Sequence, residues 1–153
     1  MASTAPDRPE GSFRSATDQD AGAVAQLLTT LGYPCTPDEA LARLAALRDE
    51  PSQEVWLAFR DGQAVGLSAL QFFYYLPLGA ITCRITALAV AEHARRGGIG
   101  KALLLGAEAR ARQNGAVRIE LTSAPHRGEA HAFYRSCGYD DGALRFMKRL
   151  GDA

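Results

Sequence analysis

Residues Ala87–Leu105 read ALAVAEHARRGGIGKALLL. An apolar, β-prone run ends at Val90. A short segment rich in arginine and glycine follows, Arg95-Arg96-Gly97-Gly98-Ile99-Gly100. A helical pattern begins at once, with Ile99, Ala102, Leu103, Gly106 and Ala109 at spacings of three and four. The order is therefore a strand, a glycine turn and a helix N-terminus. The first N–H groups of a helix have no intrahelical partner and lie at the positive end of its macrodipole. Glycines admit an anion close to the backbone, and Arg95, Arg96 and Lys101 add positive charge. These features suit a phosphate or pyrophosphate on residues 95–101. The segment is not a Walker A loop, because Ala102 follows Gly100-Lys101. It is not G-x-G-x-x-G either, because Leu103 stands at the third glycine position. It does fit R-x-x-G-x-G at Arg95, Gly98 and Gly100.

The chain has 153 residues, the size of one domain with a real core. Its 17 basic and 17 acidic residues cancel, which argues against nucleic acid as the main partner. Cys35, Cys83 and Cys137 are odd in number and far apart, without metal-ligand spacing. They read as reduced, buried thiols of a cytoplasmic protein that holds no metal. No run approaches the roughly 18 apolar residues of a membrane span. The start, MASTAPDRPEGS, has no apolar signal region and reads as a flexible tail over residues 1–12. Residues 13–153 then form one domain.

Element signals lie on both sides of the opening stretch. Phe13 to Ala16 reads as a first strand. The helix after it has Val24, Leu27, Leu28 and Leu31 on one face and ends at Gly32. Thr36-Pro37-Asp38-Glu39 is a capping box with proline at the first helical position, and Leu41, Leu44 and Ala45 form the buried face. Tyr33, between these two helices, is a candidate substrate contact. Val55–Phe59 and Ala64–Phe73 read as strands joined at Asp61-Gly62. Tyr74 to Gly79 reads as a loop whose aromatics rim a pocket, or cover the sheet edge or a subunit interface. Thr82–Val90 is the strand that feeds the glycine turn. The helix after the turn stops at Asn114-Gly115, and Val117–Leu121 is a further strand. A short helix spans Glu129–Cys137, and Tyr139 to Leu150 has room for two last strands. The predicted fold class is α/β (α+β), with a mixed sheet of six to seven strands, about four helices and the order β-α-α-β-β-β-α-β-α-β-β.

Two motifs then carry a resemblance. The R-x-x-G-x-G turn resembles the acetyl-CoA pyrophosphate loop of the GNAT superfamily of N-acetyltransferases. Residues 127–139 resemble its pattern A-x-x-F-Y-x-x-x-G-[FY], matched at Ala130, Phe133, Tyr134, Gly138 and Tyr139. Arg127 and the Ala130-His131 pair are similar to a bacterial variant, R-x-x-A-H-x-F-Y, found in small-molecule acetyltransferases. The resemblance covers nearly the whole chain. It implies a GNAT fold, acetyl-CoA as co-substrate and CoA as product. It implies that the pyrophosphate lies on Arg95, Arg96, Gly97, Gly98, Ile99, Gly100 and Lys101, with Arg127 a further cofactor contact. Backbone groups of Leu88, Ala89 and Val90 would hold the pantetheine arm and the acetyl carbonyl, in a slot where two central strands splay.

Acetyl transfer needs a neutral amine, a donor to the carbonyl oxygen and a proton for the departing thiolate. Tyr134 matches the family's proton-donating tyrosine, a general acid. A phenol suits that task, with a pKa of about 10 against about 8.5 for a thiol. Helical spacing alone makes Tyr134 a core aromatic. Many family members carry a glutamate on the strand before the glycine turn, and here no carboxylate stands between Thr82 and Val90. Glu120 on the adjacent strand is a candidate base, or else a solvated residue. His131, three before Tyr134, is another candidate, and a water chain is a third route. The expected activity is transfer of acetyl from acetyl-CoA directly to a primary amine of a small molecule. Transfer to protein or peptide amines and a non-catalytic acyl-CoA sensor are the alternatives. A homodimer suits the Phe72–Tyr75 run.

Overall fold

The computed structural model describes residues 12–123 and 128–151. Local chemistry sets the ends of its elements. Strand β1 is Ser12–Ser15, and helices α1 and α2 are Ala21–Leu31 and Pro37–Arg48. Gly32 at φ 113° ends α1, its N–H donating back to the carbonyls of Leu28 and Thr29. The capping box opens α2 as expected: the Glu39 N–H donates to Thr36 Oγ1 at 3.1 Å and the Thr36 N–H to Glu39 Oε1 at 2.9 Å. The second of these bonds holds the Glu39 carboxyl below its ordinary pKa. Strands β2 and β3 are Gln53–Arg60 and Gln63–Tyr75. Asp61 and Gly62 between them have φ of 50° and 77°, the left-handed pair that a two-residue hairpin requires. Strand β4 is Ala80–Val90, α3 is Ile99–Gln113, β5 is Arg118–Leu121 and α4 is Gly128–Ser136.

The chain divides into two units, Met1–Leu121 and Thr122–Ala153. The first carries one sheet in the order β1-β2-β3-β4-β5. The first three junctions are antiparallel, and β4–β5 is parallel through the α3 crossover. Leu57, Leu67 and Ala89 are ladder partners in one row. With Val24, Ala25 and Leu27 of α1 and Ala40 of α2 they make one core layer. Ala58, Val65, Ala94, Ile99 and Leu103 make the opposite layer, against α3. The β2–β3 register passes from Ala58↔Gly66 to Phe59↔Ala64 and skips Val65. Such a bulge lets Val65 and Gly66 both face α3. In β3–β4 the register passes from Ala69↔Ala87 to Leu70↔Ile85 and skips Thr86, whose hydroxyl donates to the Ala69 carbonyl at 3.3 Å.

Four expectations need correction. The two strands expected after Tyr139 are absent, so the described residues hold five strands rather than six or seven. Residues 139–150 make no ladder, which is what a strand requires, and Leu144, Phe146, Met147 and Leu150 are exposed. Tyr74 and Tyr75 belong to β3 rather than a loop, because the ladder runs on to Tyr75↔Ala80. The α2 face turns on fully buried Ala40 and half-buried Leu44 and Leu47, with Leu41 and Ala45 exposed. In α3 the buried set is Ile99, Leu103, Leu104, Ala107 and Ala111, leaving Ala102 half out and Ala109 exposed. Both helices share the i, i+4 logic but are rotated by about one residue, since close packing rather than hydropathy alone selects the face.

Gly66 of β3 is where α3 meets the sheet. A Cβ there would stand 2.8 Å from Ile99 Cγ2 and 3.0 Å from Leu103 Cδ1. Gly66→Ala is expected to lower stability by about 1–3 kcal/mol, read as a fall in the urea midpoint at constant m-value. Gly22, on α1 with nothing within 4 Å of its missing Cβ, is the control. Gly22→Ala is expected to stabilise by roughly 0.5–1 kcal/mol. Equal effects at the two positions would refute the close approach.

Asp20 ties the first turn to β1. Its carboxylate accepts from Arg14 Nη1 and Nη2 at 2.7 and 2.9 Å and from the Thr17 N–H at 2.7 Å. The Arg14 hydrogen bond, opposed by burial and helped by Thr17, pulls its pKa from 3.8 down to about 2. A depressed carboxyl stabilises the fold above the unfolded value and loses that contribution as pH falls through the folded one. The stability gap between wild type and Asp20→Asn should therefore be full above pH 4 or so and shrink toward pH 2. Urea unfolding across that range measures it, and a gap independent of pH would exclude this role.

Candidate functional site

The glycine turn takes the form its composition suggests. Ala91 donates to the Val65 carbonyl at 2.8 Å, and a short 3-10 turn follows at Glu92–Ala94. Ala94 is buried against Ile99 and Leu103, which anchors the turn to the core. Arg96 and Gly98 are both left-handed, at φ 67° and 85°. For an arginine that conformation costs on the order of 1–2 kcal/mol. Gly98 is the N-cap of α3. The first i→i−4 bond runs from the Ala102 N–H to the Gly98 carbonyl at 3.0 Å. The N–H groups of Ile99, Gly100 and Lys101 precede it and have no intrahelical acceptor. Nothing lies within 4 Å of the place where a Gly98 Cβ would be, so an anion can approach the backbone there. Arg95, Arg96 and Lys101 are exposed around it, and none is in an ion pair among the described residues.

Arg60, at the end of β2, is an addition to the residues expected from the sequence. Its Nη2 donates to the Gly97 carbonyl at 3.3 Å. A Cβ at Gly97 would run into the same guanidinium, so this glycine is needed for a side chain to pass rather than for its own φ.

Strand β4 leads into this turn with two unequal edges. On one side it pairs with β3 along its whole length. On the other it pairs with β5 only from Thr82↔Arg118 to Ile85↔Leu121. Past the Thr86 bulge, residues 87–90 have no ladder on that edge among the described residues. Leu88 and Val90 point their side chains into the α3 layer and Ala89 into the α1 layer. What these residues offer at the open edge is backbone N–H and C=O, the groups a strand edge presents.

Glu120 stands at the paired end of the same strands. Its Oε2 accepts from Arg84 Nε at 2.7 Å, and its Oε1 lies 3.5 Å from Arg118 Nη2. A base at this position would have to share an oxygen with a guanidinium. Arg84 is the single charged residue of β4, which is the signal that could have singled it out in the sequence. Cys83, on the opposite face, is buried, and burial followed by the Glu54 charge pushes its pKa up to about 11. That thiol is a poor nucleophile. Glu54 itself is disfavoured by burial, but hydrogen bonds from Arg110 at 2.6 and 3.0 Å and from the Trp56 indole at 2.8 Å outweigh it and leave the carboxyl below its ordinary pKa. This cluster ties the C-terminal half of α3 to β2.

In the second unit, His131 and Tyr134 are both half-buried on α4, one turn apart. The Tyr134 ring packs against Phe133 and, edge-on, against Tyr139 at centroid distances of 5.5 and 6.4 Å. Gly138 at φ 92° turns the chain so that the Tyr139 N–H donates to the Tyr134 carbonyl at 3.0 Å. Arg127 lies outside the described residues, as do residues 1–11 of the expected tail. Tyr33 is 65% exposed in the connection between α1 and α2. No helix among the described residues is long and apolar enough to cross a membrane.

Known proteins share this arrangement. Over 92% of this chain, a transcriptional regulator from Bacillus halodurans superposes with a TM-score of 0.84 at 22% identity, covering 99% of its own chain. A GNAT family acetyltransferase from Staphylococcus aureus gives 0.80 at 22% identity over 93% of this chain and 100% of its own. At these identities the likeness is one of fold. In sequence, the chain is 33% identical over 147 residues to an aminoalkylphosphonate N-acetyltransferase of Salmonella typhimurium, covering 93% of each chain. Residues 22–139, which include the glycine turn and the α4 motif, match the acetyltransferase (GNAT) family. The chain belongs to that family.

Proposed function

We propose that this protein transfers the acetyl group of acetyl-CoA to the primary amine of a small molecule. The observation that carries the reading is the left-handed Gly98 cap at the start of α3, set beside the open edge of β4. The relative from Salmonella typhimurium, an N-acetyltransferase by name, supports a small amine as acceptor. Acetyl-CoA supplies the acetyl group as a thioester. The N–H groups of Ile99, Gly100 and Lys101, with Gly97, Gly98 and the charges of Arg95 and Arg96, would hold its pyrophosphate. Arg60 would keep the Gly97 carbonyl turned away from that anion. Backbone groups of Leu88, Ala89 and Val90 would line the pantetheine arm, and an N–H there would face the carbonyl oxygen. Arg127 is a further cofactor contact in this reading. Tyr134 would protonate the departing thiolate, and Glu120, His131 or a water would take the amine proton. The same reading makes residues 13–153 one catalytic domain of a cytoplasmic enzyme, with the Phe72–Tyr75 run suited to a homodimer contact.

A thermal melt tests the cofactor half. Acetyl-CoA at 100 times its dissociation constant should stabilise by about 2.7 kcal/mol, a shift of roughly 5–11 °C for a domain of this size. Gly98→Val, which puts a β-branched residue at φ 85°, should give a much smaller shift. No shift in the wild type would remove the reading.

The chemical half rests on Tyr134. Tyr134→Phe should lower kcat by about 100-fold or more and leave the acetyl-CoA dissociation constant within about two-fold. Stopped assays of free CoA release, set beside a binding titration, separate the two quantities. A wild-type kcat would end the general-acid role.

A further inference from the structure

The core row under α1 reaches Ala69 and Ala87. Past it, on the same face by register, stand Phe73 and Tyr75 of β3, Thr82 and Arg84 of β4, and Arg118 and Glu120 of β5. The Arg84 guanidinium lies 4.9 Å over the Phe73 ring, and Arg118 lies 4.5 Å over the Tyr75 ring. Both cations lean on the one carboxylate of Glu120. The group therefore carries an excess of one positive charge. Stacking on a ring fixes the plane of a guanidinium and so aims its N–H donors. Glu120 engages Nε and Nη2 of Arg84 and Nη2 of Arg118. The remaining donors have no partner among the described residues, and the two side chains are 43% and 41% exposed. Thr82, ladder partner of both Phe73 and Arg118, is fully buried, and its Oγ1 has no hydrogen-bond partner among the described residues. Unused, oriented donors around a net positive charge are what a planar or tetrahedral oxyanion is held by.

The place matters as much as the charge. Arg84 precedes Leu88 by four residues, about 13 Å of strand, with the Thr86 bulge between them. An arginine side chain and a small acceptor together span that gap. We infer that the acceptor carries an anionic group, a phosphonate, phosphate or carboxylate, a few bonds from its amine, and that Arg84 and Arg118 hold it. The inference rests on the acetyl-transfer reading and names the acceptor class of that site. It also excludes polycationic acceptors, because the site is already positive and the oxygens of Glu120 are engaged.

The test compares acceptors that share a primary amine. They are 2-aminoethylphosphonate and 3-aminopropionate with an anionic tail, ethanolamine with a neutral one and 1,4-diaminobutane with a cationic one. Wild type should show a kcat/KM at least about tenfold higher for an anionic acceptor than for ethanolamine, and lowest for the diamine. Arg118→Gln is the informative variant, because Glu120 keeps its shorter bond to Arg84. It should cost an anionic acceptor about ten- to hundred-fold and ethanolamine less than about three-fold, mostly in KM, at an unchanged melting temperature. Arg118→Lys should recover part of the loss. Equal efficiency for all tails, or an equal loss for all in Arg118→Gln, overturns the inference while leaving acetyl transfer standing. A calorimetric titration with methylphosphonate, with and without saturating CoA, gives a readout independent of turnover. Binding that survives CoA and disappears in Arg118→Gln supports the site. Absence of binding to wild type, or binding that CoA abolishes, overturns it. If no amine releases CoA and acetyl-CoA shifts no melt, the transfer reading fails, and the titration still decides the anion site.

Discussion

The first unit is built on one close approach, the N-terminal turn of α3 lying directly on β3 at Gly66. Ile99 and Leu103 occupy the space a side chain at Gly66 would fill. The bulge at Val65 brings two successive β3 residues to that face, so the contact is wider than a regular strand would offer. Because Ile99 is held there, Gly98 and the turn before it end beside the last residues of β4. Apolar burial thus fixes where the uncompensated N–H groups of a helix start are presented. A helix start favours an anion electrostatically, and packing decides where this start stands.

Strand β4 divides the labour along its length. Its first half is paired on both sides and carries charge, Arg84 with Glu120, on one face and the inert thiol of Cys83 on the other. Its second half is apolar in side chain and, among the described residues, open on one edge. The Thr86 bulge separates the halves. In the acetyl-transfer reading proposed above, the backbone edge would serve the cofactor, and the charged side chains upstream would face the acceptor. The zero net charge of the chain conceals this order, since exposed arginines and a lysine gather at the α3 start and two more arginines at the β5 end.

Much of this was legible without a structure, and for local reasons. The capping box at Thr36, the hairpin at Asp61-Gly62, the stops at Gly32 and Gly138 and the glycine turn itself depend on bonds between residues a few positions apart. The element order through α4 followed from such signals. The misjudged faces of α2 and α3 lay one residue away, because alanine reads as weakly apolar yet is preferred where elements approach closely. Ala40 is an example, fully buried without a large side chain to announce it. Residues 139–150 have the length for two strands but make no ladder. Pairing is a property of two segments, and length in one cannot supply the other.

The sequence by itself determined the family and the strand–turn–helix around Gly98, because these are written in contiguous motifs. Only the tertiary structure decided which distant side chains meet. Arg60 reaches Gly97 across 37 positions and Arg84 reaches Glu120 across 36. Glu120, legible as a carboxylate on a strand, proved to be the shared partner of two stacked arginines. The physical reason is that register and bulges set which side chains face one another. Register is decided by how whole layers pack, a quantity no short window of sequence contains.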